Sequence, residues 1–377
     1  MTDTSIIYLD HAAATPLDNS VLQSMMPYFT TKFHNPSSLY LSAKDVRTDI
    51  SEARERVARQ LGCRPPEVIF TAGGTEANNL AIKGVMELFP ESNIVVSAVE
   101  HDSVLGPAAK YDCRRAAVHP DGQVNKDSLL ELIDDNTVLV SLMYANNEIG
   151  AIQPIQEVAA IIQSIRTMRQ DRSISNPLYF HTDACQAANY LSLKLDVDMM
   201  TLNGGKMYGP KQSGALMVRS GVKLLPQILG GGQERGLRSG TENVAAIVGF
   251  STALEKSQKL RLLETSRLAE LQKKLQDSLL SAVEGIQING SKNKLVNNVH
   301  LTIPGVDNER LVMELDMKGV QCAVGSACSA SDDQPSHVLE AMGLGITDIN
   351  SSIRVSMGRT TTDKDIDEFV NRLKECL

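Results

Sequence analysis

Lys206 lies in a glycine-rich turn after an apolar segment, within the run 202–211, Leu-Asn-Gly-Gly-Lys-Met-Tyr-Gly-Pro-Lys. Glycines beside the lysine let the backbone pack closely against a bound molecule. A lysine amine in such a turn can hold the aldehyde of a cofactor covalently. An ordinary surface lysine is the alternative. A phosphate-binding G-x-x-x-x-G-K-[ST] loop is excluded, because Met200 and Met207 occupy two of its required positions.

Asp183 directly follows a short apolar run, 178–182, that is typical of a buried strand. A carboxylate at this point can pair with the pyridinium nitrogen of pyridoxal phosphate (PLP), which keeps the ring protonated and makes it an electron sink. Taken alone, an aspartate here would more often cap a helix. Asp183 and Lys206 together predict a PLP site.

Three further strand-like runs, 68–71, 94–97 and 138–142, are each followed by polar side chains. The first leads through Gly73 and Gly74 into a helical pattern, where free backbone N–H groups and the Thr75 hydroxyl can hold a phosphate. His101 follows the second run, and its imidazole can stack on a ring or move a proton. Asn147 follows the third and offers an amide to a ring hydroxyl or a carboxylate. The alternatives are a helix cap, a structural histidine and a turn, respectively.

Three more segments carry groups suited to chemistry. The glycine-dense segment 230–241 offers hydroxyls and guanidinium groups to an anion, in its own subunit or a neighbour's. The segment 323–331 consists mainly of small residues, so we expect it to be exposed and to let the Cys328 thiol swing between a reaction centre and an outside acceptor. An inert turn is the alternative. Arg354 suits bidentate capture of a substrate carboxylate, with a surface salt bridge as the alternative.

These residues need elements that bring them together, and the chain alternates short apolar runs with helical patterns. The predicted strands are 68–71, 94–97, 138–142, 178–182 and 215–218. A largely parallel sheet covered by helices follows, with the polar residues at its strand ends. Leucines at three- and four-residue spacings predict a long amphipathic helix over 252–283, which bridges to a smaller α/β unit over 295–377. The polar stretch 168–177 is predicted to be an exposed loop.

Composition excludes several classes of protein. The formal net charge of -8 argues against a general nucleic-acid-binding surface. No apolar run approaches the roughly 20 residues that span a bilayer, and the amino terminus lacks a signal-peptide pattern, so we expect a cytoplasmic protein. The 6 cysteines contain no C-x-x-C pair and the 7 histidines no H-E-x-x-H, so we expect neither a metal site nor a disulfide framework.

The ordered motifs resemble those of cysteine desulfurases, in the group with a long catalytic-cysteine loop, within the class-V aminotransferases and the fold-type-I PLP enzymes. They lie at 8–16, 35–38, 71–76, 100–101, 146–150, 183–186, 206–211, 235–241, 325–328 and Arg354. The resemblance implies an α/β fold with a large, mostly parallel sheet domain over 15–255. It also implies a smaller α/β domain from 1–14 and 256–377, which carries the catalytic cysteine.

Such enzymes convert L-cysteine to L-alanine and leave the sulfur as a persulfide on an enzyme cysteine, for iron–sulfur cluster assembly or tRNA thiolation. By resemblance, Lys206 holds PLP and acts as acid and base at the substrate carbon. His101 stacks on the ring, Asp183 binds its nitrogen and Gln186 hydrogen-bonds the ring oxygen. Cys328 attacks the substrate sulfur as a thiolate.

The resemblance also assigns residues to the cofactor phosphate. Thr75 and Asn203 hold it beside Gly74, and Thr241 joins them from the partner subunit of a homodimer. The family usually has Ser and His at the positions of Asn203 and Gly205. Because Gly205 offers only its backbone, we expect backbone N–H groups and the Asn203 amide to replace the usual donors.

Asn147, which also borders the cofactor, and Arg354 are implied to orient the L-cysteine substrate. Two other classes stay open. A transaminase or selenocysteine lyase of the same fold would keep Lys206 and Asp183 but needs no persulfide segment. A non-catalytic sulfur carrier would keep Cys328 without a working PLP site. The sulfur acceptor, a protein partner, is not indicated by the sequence.

Overall fold

The structure, a computed structural model, describes residues 6–325 and 335–377. Cys328, with its predicted exposure and movement, lies outside the described residues. The strands are β1 (Ile7–Tyr8), β2 (Val68–Thr71), β3 (Asn93–Ser97), β4 (Asp112–Ala116), β5 (Thr137–Ser141), β6 (Tyr179–Asp183), β7 (Met199–Asn203), β8 (Gly214–Val218), β9 (Gln287–Asn289), β10 (Asn298–Thr302), β11 (Val320–Gln321) and β12 (Ser352–Ser356).

The helices are α1 (Asn19–Met25), α2 (Pro27–Thr30), α3 (Leu41–Leu61), α4 (Gly74–Met86), α5 (Asp102–Ala108), α6 (Lys126–Leu132), α7 (Ile155–Asp171), α8 (Val244–Ala282), α9 (Asn308–Met317), α10 (His337–Ala341), α11 (Ile346–Ile349) and α12 (Asp363–Lys374). A short 3₁₀ turn over Gly204–Lys206 carries the candidate lysine. Within the described part of the chain, no helix combines the length and the apolarity that a membrane crossing requires.

The largest sheet has seven strands in the order β2-β8-β7-β6-β5-β3-β4. β8 runs antiparallel to both of its neighbours, and the other pairs are parallel. The carboxyl ends of β2, β7, β6, β5 and β3 therefore meet at one edge. Successive residues such as Ile69 and Phe70 belong to different apolar cores, one on each face, because helices cover both faces. The predicted α/β class and mostly parallel sheet are confirmed.

Two strands of this sheet were not among the predicted ones. β7 is the apolar segment that precedes the lysine turn. β4 is an edge strand that contains Arg114 and Arg115, and its pattern is mostly exposed or half-buried. Because one side of an edge strand faces water, β4 lacks the apolar run that identifies a buried strand.

A second apolar core packs on an antiparallel sheet, β9-β10-β12, and includes residues of the parallel pair β1-β11. The first part of α8 packs into the large-sheet core and its last part into this second core. The predicted long helix is confirmed, but it begins at Val244 rather than 252. The side chain of Asn243 caps it, and the continuously buried residues that follow lack amphipathic spacing. The boundary between the two domains, predicted between residues 255 and 256, stays a prediction.

The predicted loop over 168–177 is partly wrong, because α7 continues to Asp171. Arg169 lies inside this helix and is buried. Its guanidinium donates hydrogen bonds to the carbonyl oxygens of Asp134 (2.6 Å) and Thr137 (2.8 Å). Because a buried cation needs such partners, Arg169 is tied to these carbonyl oxygens. The polar residues at the end of α7 looked like a loop in the sequence, although Arg169 is buried.

Candidate functional site

A cavity lies at the sheet edge where the strand ends meet. The predicted site residues that line it are Gly74, Thr75, His101, Asn147, Asp183, Gln186, Asn203, Lys206 and Arg354. Gly205 lines an adjoining cavity that shares several of these residues. Thr241 lies in a different cleft of this chain, and its predicted contribution from a partner subunit stays a prediction.

The Lys206 amine is held by backbone carbonyls of the amino-terminal segment. Its Nζ donates to the carbonyl oxygens of Ala12 (3.0 Å) and Ala13 (2.6 Å). The Gln186 amide donates to the same Ala12 oxygen at 3.0 Å. A side chain at Gly204 would force its neighbours to shift, because its Cβ would lie 2.1 Å from the Ser213 Oγ and 2.9 Å from the Pro210 carbonyl oxygen. The tight turn therefore holds the amine inside the cavity.

A line of hydrogen bonds joins Asp183 to His101. Asn78 donates through Nδ2 to an Asp183 oxygen (2.7 Å) and to the Ser103 Oγ (2.8 Å). The Ser103 Oγ lies 2.8 Å from the His101 Nδ1, which also accepts the Ser103 backbone N–H at 3.0 Å. The backbone N–H of Cys185 donates to the other Asp183 oxygen at 2.9 Å. The carboxylate and the imidazole are thus oriented by one connected network.

Asn78 and Ser103 therefore position the carboxylate and the imidazole, although the sequence motifs did not single them out. Their spacing from the predicted site residues could have identified them. Asn78 lies four residues after Gly74, on the same face of α4, and Ser103 lies at the start of α5, two residues after His101.

The amino terminus of α4 forms one end of the cavity. Gly74 packs tightly there, since an added Cβ would lie 2.8 Å from the Cys185 Sγ. First-turn N–H groups of a helix lack partners within the helix and favour an anion, and Thr75 adds a hydroxyl. The Asn203 Oδ1 accepts the Gly205 N–H at 3.1 Å. The Asn203 Nδ2 lies next to Gly74, because a Cβ added at Gly74 would be 3.6 Å from this nitrogen. The Asn203 amide thus has its donor near the helix start.

Arg354 also lines the cavity and is only 1% exposed. Its guanidinium donates to the Asn147 carbonyl oxygen (3.0 Å) and to the Asp10 carboxylate (2.6 Å). Arg354 does pair with Asp10, but it is buried, so the alternative of a salt bridge on the protein surface is excluded. Five N–H groups belong to a guanidinium, so hydrogens remain for a second carboxylate. His300 is its cross-strand partner, and burial, with the Arg354 charge adding to it, lowers the pKa of His300 to about 3.

These groups fit PLP on the chemistry of the donors. Lys206 supplies an amine for the aldehyde, Asp183 supplies a buried carboxylate for the pyridine nitrogen, and the start of α4 with Asn203 supplies donors for the phosphate. Among residues 6–325 and 335–377, no group of three or more His, Cys, Asp or Glu side chains is placed to hold a metal ion.

Comparisons with known proteins point the same way. The model of the class-V aminotransferase family matches residues 7–369. A protein of Dictyoglomus turgidum named cysteine desulfurase IscS is 39% identical over 98% of this chain and 94% of its own length. A solved NifS-like protein has a TM-score of 0.89 at 31% identity, covering 98% of both chains. A structure titled SspA in complex with cysteine has a TM-score of 0.80 at 32% identity, covering 93% of this chain and 98% of that one.

Lys206→Ala is expected to abolish both the visible absorbance of lysine-bound PLP and the turnover of cysteine, because none of the other described lysines lines this cavity. Lys194→Ala, at an exposed lysine outside the cavity, should leave both unchanged. Absorbance spectra and an alanine assay on the purified variants provide the measurement. Normal turnover by Lys206→Ala would remove this lysine from the mechanism.

Asn203→Ala is expected to weaken PLP retention roughly tenfold or more, since a hydrogen bond to a charged group contributes about 1.5–3 kcal/mol. Asn203→Ser, which introduces the residue usual in the family, should retain most of the affinity. Titration of apo-protein with PLP measures both variants. An unchanged affinity in Asn203→Ala would mean that other groups hold the phosphate.

Proposed function

This chain belongs to the class-V aminotransferase family, among its PLP-dependent cysteine desulfurases, and from that premise we propose that Cys328 receives the sulfur of L-cysteine. One observation carries the proposal. Ala323, just before the segment that bears Cys328, exchanges two backbone hydrogen bonds with Arg354, at 3.1 and 2.7 Å. Arg354 is the residue suited to bind the substrate carboxylate. The chain that leads into the cysteine segment is thus bonded to a residue that lines the cavity.

Covalent geometry limits how far the thiol can be from this point. Position 328 is three residues after Gly325, and three residues span at most about 11 Å. Gly325 is the last described residue before the segment. This limit, which follows from chain connectivity alone, supports a thiol that can reach a substrate bound beside Arg354.

The residues of the cavity have distinct tasks. Arg354 and Asn147 bind and orient the substrate carboxylate, and the Lys206 amine moves a proton at the substrate α-carbon. With PLP bound, His101 would face the ring and Asp183 would keep a proton on the pyridine nitrogen. Bound PLP supplies an electron sink for the charge that develops on the substrate.

Sulfur transfer balances without an outside oxidant or reductant. The Cys328 thiolate attacks the sulfur of L-cysteine, and the new S–S bond forms as the C–S bond breaks. The electron pair of the broken bond stays on the carbon, which gains a proton and becomes the methyl group of L-alanine. The persulfide on Cys328 then passes its outer sulfur to an acceptor thiolate by the same exchange chemistry.

Cys322 is not suited to this task. It lies in the second core, only 9% exposed, and burial raises the pKa of its thiol to about 12. Such a thiol is almost fully protonated near neutral pH and is a poor nucleophile. This burial speaks against a role for Cys322 as a second sulfur relay.

The working form proposed here is a cytoplasmic homodimer in which Thr241 of one subunit serves the phosphate of the other. The acceptor is a protein of iron–sulfur cluster assembly or of tRNA thiolation. A non-catalytic carrier is disfavoured by the PLP-type cavity around Lys206 and Asp183, which a carrier does not need. A transaminase or selenocysteine lyase is disfavoured by the attachment of the cysteine segment to Arg354.

Cys328→Ser and Cys322→Ser form a matched pair of variants. Cys328→Ser should bind PLP and cysteine but form no persulfide, because a hydroxyl is barely ionised near neutral pH. Cys322→Ser should give a normal first turnover, since its thiol is buried and protonated. Mass spectrometry after a single turnover locates the sulfur. A persulfide mapped to Cys322 and absent from Cys328 would overturn the assignment.

A further inference from the structure

Glu76 places a negative charge in the first turn of α4, one residue after Thr75, and the reaction above gives it no task. It lines the cavity that adjoins the main one. The residues assigned to the cofactor phosphate, Gly74, Thr75 and Asn203, line that cavity too. A phosphate is itself negatively charged, so an unpaired carboxylate beside its donors would weaken its binding. The contacts of Glu76 therefore bear on how the phosphate is held.

Arg238 is the partner of this carboxylate. Its Nε donates to the Glu76 Oε1 at 2.9 Å, and a terminal nitrogen of the guanidinium donates to the Oε2 at 3.4 Å. Both side chains are half-buried. Solvent ions therefore screen this pair less than they would screen a pair on the open surface. The guanidinium thus offsets the charge of Glu76 next to the phosphate donors.

The Glu76 carboxylate also fixes the turn that precedes α4. Its Oε2 accepts the Ala72 backbone N–H at 3.0 Å. The next residue in the turn, Gly73, has a φ of +149°, a conformation that favours glycine. Arg238 and Glu76 together therefore connect the segment 230–241 to the glycine turn at the start of α4.

The segment that carries Arg238 has a separate attachment to β2. The buried Glu234 carboxylate accepts the Phe70 backbone N–H at 2.9 Å. It also accepts two hydrogen bonds from the Arg54 guanidinium, at 2.6 and 2.7 Å. None of these contacts involves Arg238. The charge of Arg238 can therefore be removed while the segment stays attached to the sheet.

We propose that Arg238 is a positioning residue for PLP, which holds the Glu76 carboxylate against the Ala72 N–H and offsets its charge, so that the start of α4 can bind the phosphate. The inference rests on the phosphate lying at the start of α4, as the donors there indicate. It does not depend on which thiol receives the sulfur, and it therefore goes beyond the function proposed above. Loss of Arg238 alone leaves an unpaired carboxylate beside the phosphate, whereas loss of both charges does not.

The test is a set of absorbance titrations of full-length apo-protein with PLP and with pyridoxal, which has the same ring but no phosphate. Arg238→Ala should bind PLP roughly tenfold more weakly, the size of effect that one charge produces at a partly buried helix start. Its affinity for pyridoxal should stay within about twofold of wild type, because independent sites add to that level. The double variant Arg238→Ala with Glu76→Gln should recover most of the PLP affinity, since a glutamine oxygen can still accept the Ala72 N–H.

Two further variants serve as controls. Arg219→Ala is the matched one, because Arg219 also pairs with a glutamate, Glu67 at 3.6 Å, but lines neither of the two cavities. It should bind PLP and pyridoxal like wild type. Glu76→Gln alone removes a negative charge and keeps Arg238, so it should bind PLP at least as tightly as wild type.

Wild-type affinity for PLP in Arg238→Ala would overturn the proposal. An equal loss of PLP and pyridoxal affinity would also overturn it, because Arg238 would then only support the fold. A double variant as weak as Arg238→Ala would do the same, since the loss would then come from a displaced Thr241 segment and not from the charge of Glu76. The persulfide on Cys328 is measured separately, so failure of the proposed function would leave these titrations unchanged.

Discussion

The buried guanidinium of Arg354 is the interaction on which the arrangement of the site depends. It lies on β12 of the small sheet, yet it is held by Asp10 from the amino-terminal segment and by the Asn147 carbonyl oxygen from the large-sheet side. Arg354 itself is buried, and a buried cation that loses its partner strongly destabilises a fold. The backbone of Arg354 also bonds Ala323. Arg354 thus connects the small sheet, the amino-terminal segment and the turn after β5 at the cavity wall.

The large sheet provides the rest of the site through the direction of its strands. Because β8 alone runs against its neighbours, six carboxyl ends lie at one edge of the sheet. Five of them lead to the α4 turn, His101, Asn147, Asp183 and Lys206, which meet in one cavity. Hydrogen bonds from Asn78 then fix the direction of the carboxylate. The sheet brings these groups to one cavity, and the polar network sets the orientation that proton transfer requires.

Much of this site could be predicted from sequence, because strand ends, glycine turns and polar side chains leave local patterns. Lys206 and Asp183 are examples, and nine predicted residues line the main cavity. Contacts between distant segments leave no such pattern. The pairing of Asp10 with Arg354 spans 344 residues, and nothing near either residue indicates it. The early start of α8 was hidden for another reason, since a fully buried helix end has no polar face.

The central claim is that this cavity removes sulfur from L-cysteine and leaves it on the enzyme. Holoenzyme mixed with one equivalent of sulfur-labelled L-cysteine, without acceptor or reductant, tests it most directly. Our account predicts one alanine for each labelled sulfur atom bound to the protein. Pyruvate as the product, or alanine formed with no sulfur on the protein, would contradict it.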